Sequence, residues 1–379
     1  MLRAEPDCDT VRALGQLAGL ECWQGSPDAD RLTTDALTFG QALDAGPGQV
    51  AELLVTRGDY LHVTGRHIEA VAYFREAARL AEEAGDTISL GMVLITLSAV
   101  LGFTDPAAAA EAARTGAGHL RRAGHRVALA YAIMNLVTAM VLLGDWDAAA
   151  EELTQAMDSG GLAGIEHFAA FAGWLAALRG DATAAEALLA GLPVVRASES
   201  PQDQAIISVA EAFTAAAAGR PEDALRCARA TLAQADALGL RHEALRWAWP
   251  LAARSADELG DTATARELLS QLDSHPPGHL APMLRAEREL ARARLAARSG
   301  DPAAAGLFAA AVRGLREHST PYHLAHGLLD HARYLLRVGD HQTAAAAIGE
   351  ARDVAQRLRC NPLLDRAASL GPAETQARI

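Results

Sequence analysis

Between Leu54 and Ala77 the apolar and small positions fall at Leu54, Gly58 and Leu61, then at Ala70, Phe74 and Ala77. Steps of three and four residues place side chains on one face of a helix. The stretch therefore predicts two helices that meet at Gly65. The pattern returns later with Trp249, Ala253, Gly260, Ala265 and Leu269. A helical hairpin of this kind cannot bury its apolar stripe alone, so neighbouring hairpins must stack on it to supply a core.

The joint between the helices is the most regular feature of the chain. The phrase Gly-[Asp/Arg]-x-x-x-Ala reads GRHIEA from Gly65, GDWDAA from Gly144, GDATAA from Gly180 and GRPEDA from Gly219. It continues as GDTATA from Gly260, GDPAAA from Gly300 and GDHQTA from Gly339. TDPAAA from Thr104 keeps the frame without the glycine, and GSPDAD from Gly25 is a weaker first copy. Successive starts lie 40, 39, 40, 36, 39, 41, 40 and 39 residues apart. Glycine accepts the left-handed conformation that ends one helix, and the aspartate beside it can cap the next. The closing alanine (Ala70, Ala109, Ala149, Ala185, Ala224, Ala265, Ala305 and Ala344) is expected where two helices cross too closely for a larger side chain.

Composition agrees with helices. Half the residues are hydrophobic, drawn mostly from Ala and Leu, and only 4% are aromatic; strand cores want β-branched and aromatic residues instead. A net charge of −13 argues against nucleic acid as the main partner, since phosphate binding needs a basic surface. All 34 basic residues are arginine, which excludes any mechanism needing a lysine of this chain, such as a Schiff base or a P-loop. Cys8, Cys22, Cys227 and Cys360 form no CxxC pair and read as free thiols in a reducing cytoplasm. The start, MLRAEPDCDT, is acidic and lacks the apolar region of a secretion signal. The apolar stretch from Ala128 to Leu143 is shorter than a bilayer needs and carries Asn135 and Thr138, so it reads as a buried helix. A cytoplasmic location is expected.

The phrase and the Leu54 to Ala77 template resemble the tetratricopeptide repeat, with a period near 40 in place of 34. The resemblance implies an all-α, right-handed α-α superhelical solenoid of about eight to nine hairpins. Residues 1–379 would form one such solenoid. Within it, 1–45 would be a degenerate first unit, 46–360 the regular repeats, and 361–379 a cap and tail. Loops are expected at Ala190 to Gln202, at Ser274 to Pro282 and around Gly160, Gly161 and Gly164. The stretch RAERELARARLAARSGDPAAAGLFAAAVRGLREHSTPYHLAHGLLDHARYLL also resembles the C-terminal repeat region of bacterial multidomain ATPase, adenylate-cyclase or LuxR-type signalling regulators. No GxxxxGK[ST] loop, cyclase motif or helix-turn-helix tail accompanies it, so that kinship implies a regulatory arm whose catalytic or DNA-binding module is lost or lies on another chain.

Nothing in the sequence points to catalysis. His318, His323, His326 and His331 cluster near Asp330, but without HExxH or a cysteine partner they read as surface or packing residues. No cofactor or metal is expected. In the implied fold the first helix of each hairpin lines the concave groove where peptides lie. Six residues before the glycine, the last three units place Arg254, Arg294 and Arg333, and two units add Arg298 and Arg337 one turn on. This arginine ladder suits carboxylates gripped bidentately, or else internal ion pairs with Glu287 or Asp257. The preceding units place Ser98, Thr138, Trp174 and Phe213 in the same register, joined by Tyr131 and Met134. These aromatic positions fit either an apolar groove or inter-repeat core. The expected partner is a protein or peptide, acidic with apolar anchors, held without catalysis by a scaffold or sensor module.

Overall fold

The structure is a computed structural model that describes residues 7–23, 26–102, 104–159, 164–276 and 280–371. Gly25, Gly160, Gly161 and the tail beyond Gly371 lie outside the described residues. All regular structure among the described residues is helical. Among the described residues nine hairpins follow one another: α1 (Cys8–Trp23) with α2 (Ala29–Ala42), α3 (Pro47–Val63) with α4 (His67–Glu83), and α5 (Thr87–Leu101) with α6 (Pro106–Ala123). Next come α7 (Arg126–Leu143) with α8 (Trp146–Asp158) and α9 (Ile165–Arg179) with α10 (Ala182–Ala190), then the short α11 (Pro193–Ala197). α12 (Pro201–Ala217) pairs with α13 (Pro221–Leu232), and after the short α14 (Ala235–Leu238) come α15 (Glu243–Glu258) and α16 (Thr262–Asp273). The series ends with α17 (Pro282–Ser299) and α18 (Ala304–His318), α19 (Pro321–Val338) and α20 (His341–Leu358), and the single helix α21 (Asn361–Leu370). The degenerate first unit is thus a hairpin, α21 stands where a cap was expected, and part of the Ala190 to Gln202 loop is the helix α11.

The repeated phrase does what its chemistry predicts. Gly65, Gly144, Gly180, Gly219, Gly260, Gly300 and Gly339 all have φ between 69° and 92°, the left-handed region that an L side chain rarely enters. After the glycine, the carboxylates of Asp181, Asp261 and Asp340 accept from the backbone N–H three residues on, at 2.9, 3.0 and 3.1 Å. Asp105 does the same to Ala108 at 3.0 Å. Seven of the eight phrase alanines are buried, and the exception is Ala305, which is exposed while Ala304 takes the packed place. There the Asp301 carboxylate accepts from Ala303, only two residues on, at 2.8 Å. The chain makes a turn through Pro302 and Ala303, and the helix starts late, so its facing changes.

The described chain forms two compact units, 1–139 with 159–163 and 140–158 with 164–379, the division falling inside α7. In unit 1 the two helices of a hairpin interlock through small residues. Gly58 faces the Phe74 ring so closely that a Cβ would lie 2.7 Å from it, and Gly91 meets Leu120 in the same way. Ser98 is buried and its hydroxyl donates to the Ala109 carbonyl at 2.9 Å. The helix α7 is the one helix among the described residues long and apolar enough to cross a membrane, and over half of it is buried within the chain.

Unit 2 closes on itself. The cap and the last hairpin pack against its first helices: a Cβ on Gly180 would lie 2.6 Å from Pro362, and one on Gly144 within 3.2 Å of Leu358 and Pro321. The Cys360 thiol donates to the Leu178 carbonyl at 3.1 Å, and burial pushes that thiol up to about 12. Arg179 and Arg359 both reach Asp147. Inside, Trp174, Phe213, Trp247 and Tyr322 form one aromatic cluster with ring centroids 4.8 to 6.4 Å apart, and Trp146 joins it at 5.8 Å from Tyr322.

Candidate ligand-binding cleft

The arginines at the groove positions come together in unit 2, on α15, α17 and α19. Arg254 and Arg294 are buried, whereas Arg298, Arg333 and Arg337, one turn or one hairpin further on, reach solvent. Two carboxylates organise them. Asp330, which is 2% exposed, accepts from Arg294 Nε at 2.7 Å and from Arg366, and Arg333 lies 3.4 Å away. Asp257 accepts from Arg298 at 2.7 Å and from Arg333 at 3.0 Å. Burial pushes the Asp330 carboxyl up, and the guanidiniums of Arg294, Arg366 and Arg333 more than reverse this, holding it far below the usual carboxylate range.

Above this ionic floor lies an open cleft of about 270 Å³ lined by Arg294, Arg298, Arg333 and Arg337 together with Asp257 and Asp330. Four guanidiniums against two carboxylates leave the cleft cationic. Its walls carry the Phe308 and Tyr334 rings, stacked with centroids 5.3 Å apart. Arg337 lies 5.8 Å over the Tyr334 ring and donates to the Ala297 carbonyl at 3.2 Å, but pairs with no carboxylate among the described residues. A guanidinium held flat by a ring and a carbonyl is pre-oriented for an incoming acid.

The anticipated pairing with Asp257 is present for Arg298 and Arg333, while Glu287 plays another part. It is 1% exposed and neither carboxylate oxygen has a hydrogen-bond partner. Burial raises it to about 7, against the pull of Arg294 and Arg254. A carboxyl protonated in the folded state at a pH where the unfolded chain has lost its proton weakens the fold as pH rises. The chain is expected to lose stability through Glu287 between about pH 4.5 and 7, and Glu287→Gln should flatten that slope in urea titrations at several pH values.

The remaining predicted residues sit elsewhere. Trp174 and Phe213 are 7% and 2% exposed, inside the aromatic cluster of unit 2. Tyr131, 57% exposed, and the half-buried Met134 belong to unit 1. His323 and His326 are buried beside Tyr322, and burial, reinforced by Arg254, holds both well below their usual value, hence neutral. His331 stacks on Phe308 at 5.7 Å. Among the described residues no group of three or more His, Cys, Asp or Glu is placed to hold a metal ion. The residue that organises the cleft, Asp330, was read only as a neighbour of the histidines; its position three before Arg333 and 36 beyond Arg294 was the available signal.

A family model described as anaphase-promoting complex subunit 5 matches residues 55–102 and 310–369. No curated protein matches the chain. Among solved structures, a Rap protein complexed with competence and sporulation factor is similar with a TM-score of 0.51 at 12% identity, over 94% of this chain and 88% of that one. The apo quorum sensor NprR from B. thuringiensis aligns with a TM-score of 0.48 at 10% identity, over 93% and 89%. The hairpins, their phrase and the Rap likeness agree on the architecture: the chain is a tetratricopeptide-like helical-repeat protein.

Proposed function

We propose that the chain is a non-catalytic binding module that takes an acidic peptide segment in the arginine-lined cleft of unit 2. The observation that carries this reading is the surplus of guanidinium over carboxylate in an open, aromatic-walled cleft. Arg337 and the outer edges of Arg298 and Arg333 supply donors to a peptide carboxylate, while Phe308 and Tyr334 offer apolar surface to the residue beside it. Arg294 and Asp330 hold the floor. The Rap protein whose fold this chain shares was solved with a bound factor, which is compatible with a peptide site on such a scaffold.

The test is a random-peptide display selection on the purified chain. Enrichment of Asp or Glu next to a large apolar residue is expected. The winning peptides should bind Arg337→Glu at least tenfold more weakly by fluorescence anisotropy, and should weaken steeply with salt. Winners that are neutral or basic, or that bind the variant unchanged while its circular dichroism stays native, would sink the reading.

A further inference from the structure

The two carboxylates on the wall of the unit 2 cleft have every oxygen occupied. Asp330 Oδ2 accepts from Arg294, and its Oδ1 from Arg333 and Arg366. Asp257 Oδ1 accepts from Arg298, and its Oδ2 from Arg333. An arriving cation would have to displace an arginine to reach either acid.

The guanidiniums are left in the opposite condition. Arg298 bonds only through Nη2, to the Asp257 carbonyl and carboxylate. Arg333 also bonds only through Nη2, to Asp257 and Asp330, and Arg337 only through Nη2, to the Ala297 carbonyl. The Nε and Nη1 donors of all three have no partner among the described residues. The side chains of Arg298 and Arg333 are 41% and 48% exposed, and Arg337 is exposed as well. The three lie together: Arg298 and Arg333 share Asp257, Arg337 is one turn beyond Arg333, and the carbonyl that holds Arg337 belongs to the residue before Arg298. Each is moored at one nitrogen on the wall of the same cleft.

Of the charged groups, then, only donors are open to a ligand, and they exceed what one carboxylate can use. A carboxylate brings one charge and two oxygens in a plane, which a single arginine fork matches. A phosphoryl group brings a charge of about −1.5 to −2 at pH 7 and three oxygens spread in space, suited to clustered arginines. Four guanidiniums against two carboxylates line the cleft, an excess that a dianion cancels and a carboxylate only halves. We infer that the acid taken here is a phosphoryl group carried on a side chain of the bound peptide, a reading that rests on, and narrows, the peptide-binding role proposed above. Arg298, Arg333 and Arg337 each donate to a different phosphoryl oxygen. Phe308 and Tyr334 receive the neighbouring residue, which ties recognition to a peptide and not to the free ion.

The experiment titrates the whole chain into three labelled degenerate peptide libraries that differ only in a fixed central phosphoserine, glutamate or serine, read by fluorescence anisotropy. The phosphoserine library is expected to bind at least about tenfold more tightly than the glutamate one, the effect of one further charge-assisted hydrogen bond. The serine library should bind most weakly. Inorganic phosphate should displace the phosphoserine library only at far higher concentration than the same library unlabelled. Arg337→Gln leaves the ion pairs of the floor in place, so its circular dichroism should stay native while the preference for phosphoserine over glutamate is lost; Arg298→Gln should lose it too. Equal binding of the phosphoserine and glutamate libraries overturns the phosphoryl assignment and leaves the acidic-peptide reading standing, whereas binding of neither sinks both. Phosphate that competes as well as the peptides would assign the site to the free ion, and a preference that survives both variants would place the phosphoryl group outside this cleft; either overturns the inference.

Discussion

Asp330→Ala is expected to cost the fold about 3–5 kcal/mol, the range for removing one member of a buried ion pair. The carboxylate is 2% exposed and is shared by Arg294, Arg333 and Arg366. Without it, Arg294, itself 5% exposed, becomes a buried cation whose remaining acidic neighbour is Glu287, a carboxyl that burial pushes up. The loss is therefore one of uncompensated charge more than of lost attraction. It follows that Asp330→Leu combined with Arg294→Met should be more stable than either single variant. Urea unfolding of the three variants checks this; a double variant no better than its parents would show that the pair is not the unit of stability. Because folding holds the Asp330 carboxyl below its ordinary value of 3.8, its contribution is full above that value and fades as acid titrates it. This is opposite in sign to Glu287.

Trp247→Ala should cost about as much, roughly 3–5 kcal/mol, the usual range for emptying a large aromatic site in a core. The ring is 1% exposed and touches Trp174 and His323 at centroid distances of 4.8 and 4.5 Å, with Phe213 and Tyr322 just beyond. These partners come from α9, α12 and α19, so the cavity opens between helices from across unit 2 and cannot collapse by moving one of them. Trp247→Phe is expected to cost much less, since it keeps most of the apolar surface and removes an indole N–H that has no hydrogen-bond partner among the described residues. Thermal unfolding followed by circular dichroism separates the two; equal losses would place the energy in the N–H and not in packing.

The sequence disclosed most of the fold because its information is local. Positive-φ glycines, capping aspartates and alanines at helix crossings each act within one hairpin, and a ruler of about 40 residues finds those at the joint inside each hairpin, though not Gly85, Gly124, Gly164 and Gly239 or the capping Asp86 between hairpins. It failed where a turn shifted the frame, at Ala305, since Pro302 delays the helix and hands the crossing to Ala304. The cleft was legible in part. The ladder register marked Arg254, Arg294, Arg298, Arg333 and Arg337, and Asp257 was foreseen as a partner. What remained hidden was which arginines stay wet: Arg294 is buried against Asp330 and Arg254 against Tyr322, contacts between hairpins that no repeat phrase encodes. The aromatic positions Trp174 and Phe213 were ambiguous for the same reason, as a groove residue and a core residue look alike until the far helices arrive.

The closure of unit 2 has a further consequence for how that unit comes apart and is made. An open array of hairpins has ends that fray, and each hairpin answers only to its neighbours. In unit 2 the thiol of Cys360 meets Leu178, 182 residues earlier, and Pro362 packs on Gly180. Joined ends leave no place for unzipping to begin, so hydrogen exchange in α9 and in α21 should be lost in a single event. Such distant contacts also form only after much of the chain is ordered. The last 20 residues of the described chain thereby set the clock for the first helices of their unit.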